Sequence, residues 1–267
     1  MTQTNTNCKI IVITSGKGGV GKTTTTANIG AGLAMKGYKV ALIDTDTGLR
    51  NLDLLLGLEN RIMYDLVDVT SGKIPYKKAL VRHKKYETLF LLPTSQTKDK
   101  LAVSPEQVVA LCAEMSADFD FILIDCPAGI EQGFKTAVAA ADIALVVTMP
   151  EISAVRDADK IIGELNRADK ENILLIVNRI RPDMVAKGEM LDLDDINDIL
   201  AIKCIGQIPD DEMVVSSTNR GEPVIANTKS QAGIAYQNIT RRLCGEDVPF
   251  MTFRTKESFF DLSLIHI

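Results

Sequence analysis

A doubly wound α/β fold, its sheet mostly parallel and covered by helices on both faces, is predicted by three features of the chain. Short apolar runs alternate with helix-length amphipathic segments from Lys9 to about Leu243, which is the β–α–β rhythm of such folds. Most of the runs carry no alternating polar positions, as expected of strands buried on both faces. A glycine-rich loop, Gly16-Lys17-Gly18-Gly19-Val20-Gly21-Lys22-Thr23, joins the first run to the first helical segment. Right-handed crossovers follow from that rhythm.

Taken in order, the first strand is Lys9–Thr14 (KIIVIT), and the helix after the loop is Thr24–Met35. Further strands are Lys39–Ile43 (KVALI), Thr88–Leu92 (TLFLL) and Phe119–Ile124 (FDFILI). Ile143–Thr148 (IALVVT), Ile173–Val177 (ILLIV) and Lys203–Ile208 (KCIGQI) complete the set. Ser104-Pro105-Glu106 offers a capping hydroxyl and then proline at the first helical position, opening a helix to about Met115. Ser153 is read as the cap of Ala154–Leu165, with Asp157 in its first turn. Gln231–Leu243 is the last surface helix. No Pro/Ser-rich linker interrupts the rhythm, so residues 9–249 are read as one domain. A flexible N-terminus (1–8) precedes it and a C-terminal tail (250–267), a candidate membrane-targeting segment, follows.

Composition narrows the function classes. At 267 residues, 46% hydrophobic and 24% charged, the chain is an ordinary globular protein with room for a sizeable core. A net charge of −5 argues against a surface coated in cations, and no nucleic-acid partner is expected. Five scattered cysteines without a C-x-x-C pair argue against a disulfide framework or a zinc site. The N-terminus lacks an apolar signal core, and no uncharged apolar run reaches the ~18 residues of a membrane span. A cytoplasmic protein, attached at most to a membrane surface, is therefore expected. His83, within Arg82-His83-Lys84-Lys85, is read as part of a solvated charged turn, and Cys126 as a small buried residue.

The chemistry is expected at the carboxyl ends of the strands, where open α/β sheets bind ligands. The loop fits G-x-x-x-x-G-K-[ST], a phosphate-binding loop of the P-loop NTPase type. Glycines allow the tight turn, successive N–H groups of Gly16 through Thr24 face an anion, and the helix start adds its positive end. Lys22 is assigned to the β- and γ-phosphates of ATP or ADP, and Thr23 to Mg²⁺. Asp125 closes the run Phe121–Ile124 and is a second candidate Mg²⁺ group. Asp46 is assigned the attacking water and Asp44 a Mg²⁺-coordinated water, with an exchange of these two roles left open. Gly129 is a candidate switch glycine. Asn178 is a candidate for an adenine edge, and the backbone around Pro209 for the flank of the ring.

The segment Lys17–Thr24 resembles the deviant phosphate loop of the MinD/ParA ATPase family. In that family the extra lysine, here Lys17, reaches across a nucleotide-sandwich dimer to the partner's phosphates. The resemblance thus implies a catalytic lysine supplied in trans, and a homodimer in the ATP state. Further stretches resemble the MinD branch: residues 43–53 a first switch, 92–100 the segment after a third strand, 125–131 a second switch. Residues 150–159 are similar to the start of the helix that meets MinC and MinE, and Gly221-Glu222-Pro223-Val224 also fits. This implies an ATP-hydrolysing switch in placing the division site, with MinC- and MinE-like partners. It would work on the inner face of the cell membrane or, in a plastid, between stroma and inner envelope. A ParA-like DNA-partition ATPase is the alternative, with Arg241 and Arg242 as its basic surface. The tail departs from the family pattern. No Lys or Arg follows Lys256, and Phe259, Phe260, Leu262, Leu264, Ile265 and Ile267 surround a helix axis without forming one stripe. It is read as a weakened or altered membrane anchor.

Overall fold

A computed structural model describes residues 8–46, 51–95 and 103–252. Its strands are β1 (Lys9–Thr14), β2 (Val40–Asp44), β3 (Val81–Arg82), β4 (Leu89–Leu92), β5 (Phe121–Asp125), β6 (Ile143–Thr148), β7 (Ile173–Ile180) and β8 (Lys203–Pro209). They form one sheet in the order β3-β4-β2-β5-β1-β6-β7-β8. Every pair is parallel except β3 with β4.

Eleven α-helical segments fill the connections among the described residues. They are α1 (Lys22–Met35), α2 (Leu52–Leu55), α3 (Leu66–Thr70), α4 (Tyr76–Ala79), α5 (Pro105–Met115) and α6 (Gln132–Val138), followed by α7 (Ile152–Arg167), α8 (Pro182–Ala186), α9 (Leu193–Leu200), α10 (Glu212–Thr218) and α11 (Gln231–Leu243). Along β1 the side chains alternate between two cores. Ile11 and Ile13 pack with Ile29 and Leu33 of α1 and Tyr236 and Ile239 of α11. Val12 packs with Leu111 of α5, Phe134 of α6, Ile161 of α7 and Ile196 of α9. Two apolar cores, one per face, are why the strands read as unbroken apolar runs.

The doubly wound sheet agrees with the sequence, and the differences are local. Strand β3 carries no sequence signal, because it is only Val81–Arg82 and is held by antiparallel pairing to β4. Helix α7 starts at Ile152, with Glu151 at its cap position and no side-chain cap. Ser153 is therefore inside the first turn instead of capping it, and Asp157 falls one turn later than expected. Ser104 does cap α5: its side chain accepts the Gln107 N–H, and Gln107 returns a bond to the Ser104 N–H. Strand β7 runs three residues past Val177, through a register shift. Asn178 is therefore within the strand, and not beyond its end.

Candidate functional site

Strands β2, β5 and β1 are neighbours, and the loops leaving their carboxyl ends converge. After β1 the chain turns through Gly19 (φ 80°) and Gly21 (φ 100°), backbone conformations that side chains strongly disfavour. Gly21 is the N-cap residue of α1, and neither a side-chain cap nor an acidic residue serves that first turn. The helix start is left to an external anion. An added Cβ at Gly18 or Gly19 would meet nothing within 4 Å, so the mouth of the loop is open. The flanks are closed. A Cβ on Gly16 would stand 2.2 Å from the Asp157 carbonyl oxygen of α7, and one on Gly21 2.3 Å from Asn178 Nδ2.

Two side chains hold the loop backbone in shape. Ser15 Oγ donates to the Lys17 carbonyl at 2.8 Å, and Asn178 Nδ2 to the Val20 carbonyl at 2.8 Å. Asn178 reaches inward because β7 bulges there: Arg179 adopts φ 57°, and its N–H binds Asn178 Oδ1 at 2.9 Å. The two lysines of the loop meet different surroundings. Lys22 is only 7% exposed. Lys17 is exposed, with its Nζ 3.8 Å from Glu151 Oε2.

Two carboxylates face this loop. Asp44 and Asp125 are register partners on β2 and β5, each 1% exposed. Burial pushes the Asp44 carboxyl well above the usual range, and the Asp125 charge adds to it. Burial likewise pushes Asp125 up to about 6, opposed by a hydrogen bond from Thr23, the Lys22 charge and a bond from Thr26. The Thr26 hydroxyl donates to Asp125 Oδ1 at 3.2 Å. Asp46 is placed beside them, its N–H on Asp44 Oδ1 at 2.9 Å. Thr45 ties the two strand ends together through its hydroxyl on the Asp125 carbonyl, 2.6 Å. The segment after β5 touches the residue before the phosphate loop, with the Gly129 N–H on the Ser15 carbonyl at 3.3 Å. Cys126 is buried as expected, and burial pushes its thiol up to about 12, favouring the protonated form.

The donor set fits Mg²⁺ and a nucleotide. Two buried carboxylates side by side repel each other, and a divalent cation relieves that repulsion. Among the described residues no three acidic, His or Cys side chains surround a metal-sized gap. Phosphate oxygens and water would therefore supply most ligands, which is the way Mg²⁺ binds.

The family model for the CobQ/CobB/MinD/ParA nucleotide binding domain matches residues 11–224. Over 246 residues the chain is 55% identical to the septum site-determining protein MinD of Synechocystis sp., covering 92% of each chain. This chain belongs to the MinD family. Its structure is similar to that of MinD in the MinC:MinD cell division protein complex of Aquifex aeolicus, with TM-score 0.87 and 50% identity, covering 92% of this chain and 100% of that one. It is also similar to the Pyrococcus horikoshii MinD complexed with Mg-ADP, with TM-score 0.79 and 29% identity, covering 88% of this chain and 96% of that one.

Within this MinD-family chain, the sequence-predicted residues Gly16 to Thr24, Asp44, Asp46 and Asp125 come together at one edge. Asn178 does reach the same place, but its amide nitrogen is engaged by the loop backbone. Pro209 closes β8 opposite Ile180 and is buried. Some contributors were not foreseen. Thr26 had a signal, since it follows Thr23 by three residues and so shares its helix face. Glu151, Ser15 and the Asp157 main chain had none. Residues 47–50 of the first switch, 96–100 and 253–267 of the tail lie outside the described residues. So does the tail's proposed anchor, and no helix of the described residues is long and apolar enough to cross a membrane.

Proposed function

We propose that this chain is an ATP-driven, Mg²⁺-dependent dimerising switch that places the division site. The observation that carries this reading is the contrast between the loop's two lysines. Lys22 is buried beside Asp125, where it serves the phosphates of its own site. Lys17 is 44% exposed in its side chain, with its Nζ 3.8 Å from Glu151 Oε2. A lysine so placed is available to a second copy of the chain.

In this reading the loop amides from Gly16 to Thr24 cradle the phosphates, with Lys22 on the β- and γ-oxygens. Thr23, Asp44 and Asp125 hold Mg²⁺, directly or through water. When bound, Mg²⁺ neutralises charge developing on the β- and γ-oxygens. Asp46, anchored through its N–H to Asp44, orients the attacking water. Lys17 from the facing copy supplies a positive charge in trans. Asn178 supports the loop from below, and it and Pro209 flank the space for the base. Gly129 reports loss of the γ-phosphate by releasing Ser15.

A MinC-like partner is supported by the complex formed by the Aquifex aeolicus relative. MinE-like regulation and attachment to the inner membrane face through residues 250–267 complete the proposal, with the plastid envelope as the equivalent site. The DNA-partition alternative rested on Arg241 and Arg242, and both have other partners. Arg241 Nε binds Glu246 at 2.7 Å, and Arg242 binds three backbone carbonyls.

The test is ATP hydrolysis and dimer mass for wild type, Lys17→Ala and Lys22→Ala, with and without vesicles. Lys17→Ala should keep nucleotide binding but lose ATP-dependent dimers and hydrolysis. Undiminished hydrolysis and dimerisation in Lys17→Ala would overturn the trans role.

A further inference from the structure

On the far side of the molecule the turn between β3 and β4 borders a cleft of about 180 Å³. His83, Lys84, Lys85, Arg220 and Glu222 line it, over a floor that includes Gly57 and Pro223. The sequence suggested a solvated turn here. Instead His83 is 7% exposed. Its Nδ1 accepts the N–H groups of Lys85 and Tyr86, each at 3.1 Å. Its ring stacks on Tyr86 with centroids 4.8 Å apart.

These contacts decide the tautomer. With Nδ1 filled by two donors, the ring proton sits on Nε2. Burial, then Lys85, Lys84 and Arg61, push the ring's pKa below its ordinary value, so it stays neutral near pH 7. Nε2–H has no hydrogen-bond acceptor among the described residues, and His83 belongs to the cleft wall. The Nε2–H is therefore free to donate into the cleft, from a ring whose position is fixed by its turn. The rim supplies the matching charge. Lys84, Lys85 and Arg220 are exposed, and none forms an ion pair among the described residues. Among the described residues the Arg220 guanidinium makes only a 3.4 Å contact, to Ser217 Oγ. Glu222 is the one opposing carboxylate on the wall. In a chain of net charge −5, this excess of cations is local.

We propose that the cleft binds a phosphoryl oxyanion, with His83 Nε2–H as the fixed donor on its wall and Lys84, Lys85 and Arg220 as the charged rim. Backbone-fixed donors combined with mobile cations suit a tetrahedral anion. The phosphoryl group can belong to a soluble phosphate or to an anionic lipid headgroup, since both present the same oxygens. The cleft is separate from the nucleotide loop, so this inference stands whether or not the proposed switch does.

The chain has two histidines, His83 and His266, which makes the ring a clean reporter. Full-length protein labelled with ¹⁵N-histidine is titrated with inorganic phosphate, and the His83 signal is assigned by its absence in His83→Gln. The titration is repeated with Lys22→Ala, which removes the loop's own contribution. A saturable shift of the His83 Nε2–H signal is expected in both proteins. In a combined Lys84→Gln, Lys85→Gln, Arg220→Gln variant, checked for unchanged melting, affinity should fall about ten-fold or more, as loss of charge-assisted bonds implies. Vesicles of phosphatidylglycerol and of phosphatidylcholine then separate the sources. Loss of His83 signal with phosphatidylglycerol alone, absent in the rim variant, identifies the headgroup. A response to phosphate but to neither vesicle identifies the soluble anion. No shift with either probe, or a shift undiminished in the rim variant, overturns the proposal.

Discussion

The two edges of this one sheet treat charge in opposite ways. At the amino edge, charged side chains close the fold. Asp142 accepts the Ile10 N–H at 2.9 Å and Asp120 the Lys39 N–H at 2.8 Å. Arg242 donates to the carbonyls of Val248, Ile205 and Pro249 at 2.9, 2.9 and 2.8 Å. Lys36 and Arg241 share Glu246. At the carboxyl edge Asp211 does likewise for α10 and α11, accepting from Met213, Ser230 and Ala232, but around the phosphate loop like charges are left facing one another. Asp44 and Asp125 are buried side by side, and α1 begins uncapped. The amino edge is complete as folded, whereas the carboxyl edge becomes complete only when a ligand brings its own charges. Stability and function should therefore separate by edge.

The largest effect tests the carboxyl edge. Lys22→Ala removes a buried cation aimed at phosphate, so nucleotide affinity should fall by roughly 100-fold or more, about 3 kcal/mol. Apo melting should change little, because Asp125, already pushed up to about 6, can take a proton when its cation is gone. Titration calorimetry and a thermal scan read the two quantities. Collapse of the apo fold with nucleotide binding retained would invert the comparison. Arg242→Ala is the counterpart at the amino edge. Leaving three carbonyls short of a donor should cost about 2–3 kcal/mol, lowering the melting point by roughly 4–12 °C. Nucleotide affinity should be unchanged; a weakened affinity would mean the edges are coupled.

Smaller and opposite in sign is Asp44→Asn. Replacing one of two adjacent buried carboxylates with an isosteric amide removes their repulsion and still accepts the Asp46 N–H. Apo stability should rise by about 1–2 kcal/mol, in line with relief of a functional strain. The extra stability conferred by Mg-nucleotide should shrink in the same variant. Urea titrations with and without ligand measure both, and a less stable apo protein would show that the pair is not a burden.

The edges also differed in how legible they were in the sequence. Strands β1 and β6 were readable to the residue, since burial on both faces writes an unbroken apolar run. The phosphate loop was readable because glycines, lysine and threonine must stand at fixed spacing to wrap an anion. Asp44 and Asp125 were readable because an apolar run that ends in Asp places a carboxylate at a strand end. What failed depended on distant partners. Nothing local marks the bulge that turns Asn178 inward, since Arg179 at φ 57° is held there by tertiary structure. Glu151 becomes the helix boundary and the Lys17 partner only once β6 and β1 are neighbours. The two-residue β3 has no period to detect, and with it went the burial of His83.

His83, fixed in the turn between β3 and β4, gives the smallest effect. Its folded pKa lies below the ordinary 6.5 because burial first, then Lys85, Lys84 and Arg61, disfavour the charged ring; Glu222 opposes them. The unfolded chain therefore takes the proton before the folded one does. The contribution is fully present above pH 6.5 and is lost as the pH falls through the lower, folded value. Protonation also forces a hydrogen onto Nδ1, against the N–H groups of Lys85 and Tyr86. Carboxylates titrate in the same range, so the quantity to measure is a difference. Urea stability of wild type and His83→Gln, taken at steps from pH 7.5 to 5, should converge as the pH falls, the wild type losing more. Saturating inorganic phosphate, by engaging Nε2–H of the neutral ring and its cationic rim, should enlarge the wild-type advantage at the upper end of that range. Parallel curves would mean that the ring is not held neutral by its turn.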